Sequence, residues 1–355
     1  MPGAAFDELP IVDVAGLESP DLSTRCATAR ALDLAARSVG FFYVVRHGLS
    51  EALIAGLIDA AQRFFRLPES IKNQYYIGNS RNHRGYVPPG EEVFYGQSTD
   101  TKEAFDLSLD LPSDDCDYVA GNRLLGPNVW PREVGGFREQ VYSYYQAVAA
   151  LGRRLLRGFL LALGEPEDRF DSVLTKPPSQ LRLIHYPAAA DALDAPGIGA
   201  HTDYECFTIL HATSPGLEVL GSAGRWLEAS PVPGAFVINI GDLFEVLSNG
   251  RWKSTAHRVR RVREERYSAP LFFNLDYNAE VAPLPSLLGT TDTPRYPRVR
   301  AGEHLLSQTI QSFRYLKREL ESGALSLPEG ALALASFARE RAELASAGEL
   351  VRVAP

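Results

Sequence analysis

His201 and Asp203 stand two residues apart in Gly199-Ala200-His201-Thr202-Asp203-Tyr204, pairing an imidazole with a carboxylate, both of which ligate divalent metals. On an extended segment, residues i and i+2 project from the same face, so the two groups would converge on one point. Such a pair is common by chance, and a metal centre needs a third ligand. The seven histidines are His47, His83, His185, His201, His211, His257 and His304. His47 precedes a glycine and reads as a turn residue, His83 lies in a polar loop, His211 reads as packing, and His304 begins a helical stretch. His185 neighbours a candidate site residue and can line a pocket without touching metal. His257 is the best third ligand, because it opens a predicted strand beyond the Asn249-Gly250 turn. Two His and one carboxylate on one face of a metal, with the other positions open, form the non-haem Fe(II) triad that lets a cosubstrate, O2 and a substrate reach the iron. Taken alone, the same donors also fit a zinc hydrolase.

Nine residues beyond His257, Arg266-Tyr267-Ser268 places a guanidinium and a hydroxyl on one face of a strand. That combination binds a carboxylate well. A metal ligand and a carboxylate anchor on adjacent strands would suit a small dicarboxylate stretched between them, and would count against the hydrolase.

The elements that must position these groups are legible as patterns. Pro10-Ile11-Val12-Asp13-Val14 and Gly40 to Val45 read as strands, 21–39 as a helix stopped by Gly40, and Ser50 as the cap of a helix running to about Arg66. Residues 78–100 and 112–131 are rich in turn formers and read as loops. The longest helix is expected over 134–163, where Phe137, Val141, Tyr144, Val148, Leu151, Leu155 and Phe159 recur at steps of three and four. After Pro177-Pro178, short β-type runs appear at 180–186, 205–212, 217–220, 225–229, 235–240, 256–262 and 268–275, which predicts a sandwich or jelly roll. Helices are expected again at Glu303–Ser322 and Glu329–Ala345.

The chain has 355 residues and 44 acidic against 36 basic side chains, a net charge of −8 that argues against nucleic acid as the main partner. No apolar run is long enough to span a membrane, and the N-terminus lacks the pattern of a secretory signal. Three scattered cysteines give neither a disulfide framework nor a zinc cluster, so a cytoplasmic location is expected.

In order along the chain, Pro10-Ile11-Val12-Asp13, Gly40-Phe41-Phe42-Tyr43 with His47-Gly48, Arg84-Gly85-Tyr86, Lys102-Glu103-Ala104-Phe105-Asp106, Gly126 to Pro131, Leu181 to Pro187, His201-Thr202-Asp203, Gly216-Leu217-Glu218-Val219, Asn239-Ile240-Gly241-Asp242, His257-Arg258-Val259 and Arg266-Tyr267-Ser268 resemble the isopenicillin N synthase-like family of Fe(II)/2-oxoglutarate-dependent dioxygenases. The resemblance covers about residues 8 to 320. It implies a mainly β fold with flanking helices around a double-stranded β-helix, or jelly roll. The expected organisation is an N-terminal mixed α/β region at 1–133, a long bracing helix and linker at 134–177, the jelly-roll core at 178–285, and a C-terminal helical segment at 286–355 that could act as a lid. It implies Fe(II) on His201, Asp203 and His257, and 2-oxoglutarate chelating that iron, with its far carboxylate on Arg266 and Ser268 and Tyr186 as a further donor. With O2, the reaction would oxidise a small-molecule substrate by hydroxylation, desaturation or cyclisation and release succinate and CO2. Asp203 counts against halogenation, since related halogenases lack that carboxylate. Arg84, Tyr86 and Phe94 would cover the barrel mouth, Phe273 would lie near 2-oxoglutarate, and Asp276 would face the pocket or serve a turn. Gln311 or Phe313 would point inward from the lid. Many members carry Asn where Ile184 stands, so one polar contact is missing or replaced here. The alternatives are an Fe(II) oxidase of the same fold that uses no 2-oxoglutarate, as in oxidative cyclases, and a non-catalytic jelly-roll binding protein. Neither the primary substrate nor the oligomeric state follows from the motifs.

Overall fold

The computed structural model describes residues 9–93, 100–189, 196–221, 224–289 and 293–328. Phe94 and the expected helix Glu329–Ala345 lie outside the described residues. The strands of the two main sheets are β1 (Ile11–Asp13), β2 (Phe41–Val45), β3 (Gly85–Val87), β4 (Glu103–Leu107), β5 (Gln180–Tyr186), β6 (Pro196–His201), β7 (Phe207–Ala212), β8 (Leu217–Leu220), β9 (Trp226–Glu228), β10 (Ala235–Ile240), β11 (His257–Arg260) and β12 (Arg266–Phe273). The larger sheet runs β1-β2-β10-β7-β12-β5-β4-β3 and the smaller runs β6-β11-β8-β9.

Alternation along the strands divides the side chains between two cores. Ile184, Tyr186 and Val237 of the larger sheet meet Ile198, Leu217, Val219 and Val259 of the smaller one, filling the interior of a jelly roll. Leu181, Leu183, Phe207, Ile209, Leu271 and Phe273 point the other way, onto the helix Phe137–Ala162 through Val148, Leu155 and Phe159. The helix can approach this closely because position 152 is glycine. A Cβ there would sit 2.2 Å from Phe273 Cδ2. The helices Leu22–Ser38 and Glu51–Phe65 pack beside it, each started by a side-chain cap: Asp21 accepts from the N–H groups of Ser23 and Thr24, and Ser50 from that of Leu53.

Several expectations change, and the stretch 112–131 read as loop holds the short helix Cys116–Val119. The stretch 78–100 is not all loop, because Gly85–Val87 pairs with β4 as the edge of the larger sheet. The helix expected over Glu303–Ser322 is two, Ala301–Ser312 and Arg314–Glu321, with Phe313 extended between them at φ −95° and ψ 130°. The break has a partner: Val93 N–H donates to Ser312 C=O at 2.9 Å and Arg314 N–H to Glu91 C=O at 3.0 Å, so the 91–93 loop takes the backbone groups a continuous helix would use. Among the described residues, no helix is long and apolar enough to cross a membrane. A further change concerns Asp203 and belongs to the site.

Candidate metal centre

His201 ends β6 and His257 begins β11, and the two are direct cross-strand partners. Their ring centroids lie 4.3 Å apart. Asp203 does not share the strand, as the spacing suggested. The chain leaves β6 after His201 and turns, bringing Asp203 Oδ1 to 3.8 Å from His201 Nε2 and 3.5 Å from His257 Nε2. The three ligand atoms fall within 4.8 Å of one another.

Neighbours fix the orientation of each ligand. His201 Nδ1 lies 2.8 Å from Gly199 C=O and His257 Nδ1 3.2 Å from Thr255 C=O. A carbonyl only accepts, so Nδ1 carries the proton in both rings and the basic lone pair is on Nε2. Asp203 Oδ2 accepts from the Thr208 hydroxyl and from Asn239 Nδ2, the latter at 2.6 Å, which turns Oδ1 toward the imidazoles. Burial, and then His257 beside it, depress His201 to about 4, so at neutral pH it is the neutral imidazole that metal binding requires. Burial pushes the Asp203 carboxyl up, but the two imidazoles and its two hydrogen bonds outweigh this and hold it below the usual carboxylate range. Two imidazole lone pairs and a carboxylate oxygen facing one point are three electron donors that a cation would reconcile, and the N2O set with open positions fits Fe(II). A second grouping, Asp115-Cys116-Asp117, already surrounds an ammonium: Lys176 Nζ lies 2.7 Å from Asp115 and 3.1 Å from Asp117.

A cavity of about 60 Å³ joins His201, Asp203 and His257 to Tyr186, Arg266 and Ser268. Arg266 opens β12 and is 1% exposed. Its Nε donates to Ser214 C=O at 3.0 Å, its guanidinium carbon lies 4.7 Å from the Tyr186 ring centroid, and its buried Nη1 has no hydrogen-bond partner among the described residues. A buried guanidinium N–H without an acceptor is costly, and a carboxylate is its natural partner. The interior of the barrel therefore offers a cation site at one end and an anion site at the other.

Other expected pocket residues lie elsewhere. Arg84 is buried but donates to the carbonyls of Asn82, His83 and Leu124, ordering its own loop. Tyr86 packs in the helix-side core and donates to Glu103 at 2.6 Å. Asp276 accepts from Thr175 N–H, the Thr175 hydroxyl and Lys176 N–H, and so serves a turn. Phe273 faces the long helix. Phe272 lines the cavity instead, because only the even-numbered positions of β12 share the face of Arg266 and Ser268. The period of two could have found this.

Sequence reasoning missed the charged roof. Arg182 on β5 makes a fork to Asp106 at 2.7 and 2.8 Å and reaches Glu92 at 3.0 Å. Glu92 also takes Lys102, which lies 3.3 Å from Asp100. Burial raises the Glu92 carboxyl, but Arg182 and Lys102 overcome it and hold it at about 2. Burial, against Lys102, pushes Asp100 up to about 6. Glu92 and Arg182 line both the metal cavity and an adjoining one of about 50 Å³ with Glu205, Ser312 and Phe313. Burial, and then Asp203, push Glu205 up to about 8. The inward direction of Phe313 fits the expectation for that residue, and its ring packs on His83.

Comparison with known proteins adds an independent view. Residues 9–133 match the family described as the N-terminal region of non-haem dioxygenases in morphine synthesis, and residues 177–275 match the 2OG-Fe(II) oxygenase superfamily. Homoarginine-6-hydroxylase 2-ODD-233 of Oryza sativa subsp. japonica is 32% identical over 327 residues, covering 88% of this chain and 99% of its own. Among solved structures, a 2OG-Fe(II) oxygenase family protein from Caulobacter crescentus superposes with a TM-score of 0.75 at 32% identity, over 87% of this chain and 99% of that one. JOX2, in complex with 2OG, Fe and JA, gives 0.71 at 29% identity, over 84% of each chain.

Proposed function

The chain belongs to the 2OG-Fe(II) oxygenase superfamily, and from that membership we propose that His201, Asp203 and His257 hold its Fe(II) while Arg266 and Ser268 take the far carboxylate of 2-oxoglutarate. The protein is a 2-oxoglutarate-dependent oxygenase acting on a small molecule. The observation that carries the assignment is the unpartnered Nη1 of Arg266, in one cavity with the three metal-ligand candidates.

Bound Fe(II), with 2-oxoglutarate and O2, supplies the oxidising chemistry, coupling decarboxylation of the keto acid to oxidation of a substrate bond. The chain's own groups prepare for it. Gly199 and Thr255 carbonyls hold the imidazoles in the tautomer that presents Nε2. Thr208 and Asn239 occupy one oxygen of Asp203 and leave the other for metal. Arg266 and Ser268 neutralise and orient the dicarboxylate, Tyr186 flanks the guanidinium, and the apolar walls Ile184, Ile198, Leu217 and Val259 keep water away from it. Ile184 stands where a polar contact was expected, and here that wall is apolar.

The primary substrate puts its reacting end into the second cavity, under the Glu92–Arg182 pair. Its lining of Glu92, Arg182, Glu205, Thr309 and Ser312 suits a polar molecule, and the name of the rice relative gives one that is nitrogen-rich. Fe(II) and then 2-oxoglutarate, added without oxygen, should produce a weak visible charge-transfer band, and turnover should release succinate. Bound iron with neither band nor succinate would overturn the assignment.

A further inference from the structure

Behind Arg266, at the end of the barrel away from the metal centre, the described residues leave a cleft of about 830 Å³. Its walls are the helix Glu51–Phe65, the turn at His47 and Gly48, and the segment 231–234 before β10. This is much larger than either cavity at the metal end. Leu210, Leu217 and Arg266 line the cleft, and the same three residues line the metal cavity. One layer of side chains therefore separates the rear cleft from the seat assigned to the dicarboxylate.

The two ends differ in what else must use them. At the front, the passage runs past Glu205 and the Glu92–Arg182 pair and is lined by Phe313, whose flanking backbone is tied to the 91–93 loop. The primary substrate must also sit there, so a keto acid coming from the front would have to precede it, and succinate could leave only after the product. At the rear, Leu49, Ile54, Ile58 and Val232 line the cleft together with Arg46, Glu51 and Asp59, and the buried Arg266 stands at its floor. Leu210 is half-buried and Leu217 buried, and each lines both spaces, so the partition at these two points is one side chain thick.

We propose that the rear cleft is a second passage through which the dicarboxylate cosubstrate reaches Arg266 and the shorter dicarboxylate product leaves, independently of the front. The proposal rests on the cofactor assignment above and adds a route to it. Two residues far from the metal test it. Ala55, exposed on the helix wall, becomes Trp (Ala55→Trp), and Ala235, half-buried at the start of β10, becomes Phe (Ala235→Phe). Oxygen-free Fe(II)-loaded protein is mixed rapidly with 2-oxoglutarate and the visible band is followed in time. The rate constant should fall about ten-fold or more in each folded variant, with the amplitude at saturation retained, because the path is blocked and the seat is intact. An unchanged rate in either folded variant, or a loss of amplitude without slowing, overturns the passage. Absence of the band in the unsubstituted protein would overturn the cofactor assignment itself, and the passage with it.

Discussion

Asp203 offers one oxygen because the other is held, and this can be tested without touching a ligand. Thr208→Val removes one donor to Oδ2 at nearly constant shape, and Asn239→Ala removes the other, which lies at 2.6 Å. Both positions are about 2% exposed, so no bulk water replaces the lost donor. Losing a partner that orients a ligand typically costs about 10–100-fold in metal affinity, or about 1.4–2.8 kcal/mol. Each single variant should therefore raise the Fe(II) dissociation constant by that factor. The double variant should differ from the sum of the two, since both donors serve one oxygen. The assay is anaerobic competition for Fe(II) against a chromogenic chelator, with circular dichroism of the metal-free proteins to show that β7 and β10 remain folded. Folded single variants that bind Fe(II) like the parent, within about two-fold, would refute the claim that these donors set the ligand's orientation.

Arg266→Ala should weaken 2-oxoglutarate binding by the about 2–5 kcal/mol typical of losing one partner of a buried charged contact, seen in anaerobic titration of the visible band; parent-like affinity would remove Arg266 from the anchor. Glu92→Gln removes one of the two carboxylates that Arg182 and Lys102 each have, leaving them Asp106 and Asp100, and should cost about 3 kcal/mol of stability in denaturant unfolding at neutral pH. Since Glu92 is depressed from 4.5 to about 2, its contribution is complete above about pH 4.5 and lost as pH falls toward 2, so the gap between parent and variant should close over that range; a gap that stays constant would count against the pair. Gly152→Ala drives a methyl into Phe273 and should destabilise by about 1–3 kcal/mol, and a neutral result would mean that the helix and sheet slide apart freely.

Local chemistry made much of this legible. β5 and β10 coincide with their apolar runs, and the Ser50 cap and the long helix follow their signals to within a few residues. Residue type and short spacing single out His201, His257, Arg266 and Ser268, and the fold brings all four to one cavity. What failed depended on distant neighbours. Asp203 reaches its place through a turn after β6, not through strand alternation. Glu92 and Arg182 are 90 residues apart in sequence, and nothing near either marks the pairing. Phe313 interrupts a helix whose own residues would have continued it, because a loop more than 200 residues earlier takes its backbone bonds. Asn239, a buried amide in the apolar run Phe236-Val237-Ile238-Asn239-Ile240, was a visible signal that went unread.

The two ends of the grip proposed for the cosubstrate belong to different sheets. Two of the metal-ligand candidates, His201 and His257, pair across the smaller sheet, whereas Arg266 and Ser268 stand on the larger. The distance between the grips is therefore set by how two sheets stack, with a packed interior that resists change even by a bond length. The barrel works as a gauge of chain length: a keto diacid shorter by one methylene would leave one end unheld, and one longer would have to buckle to fit. Selectivity for the cosubstrate is thus a property of the scaffold, which leaves the loops at the mouth free to diverge with the substrate.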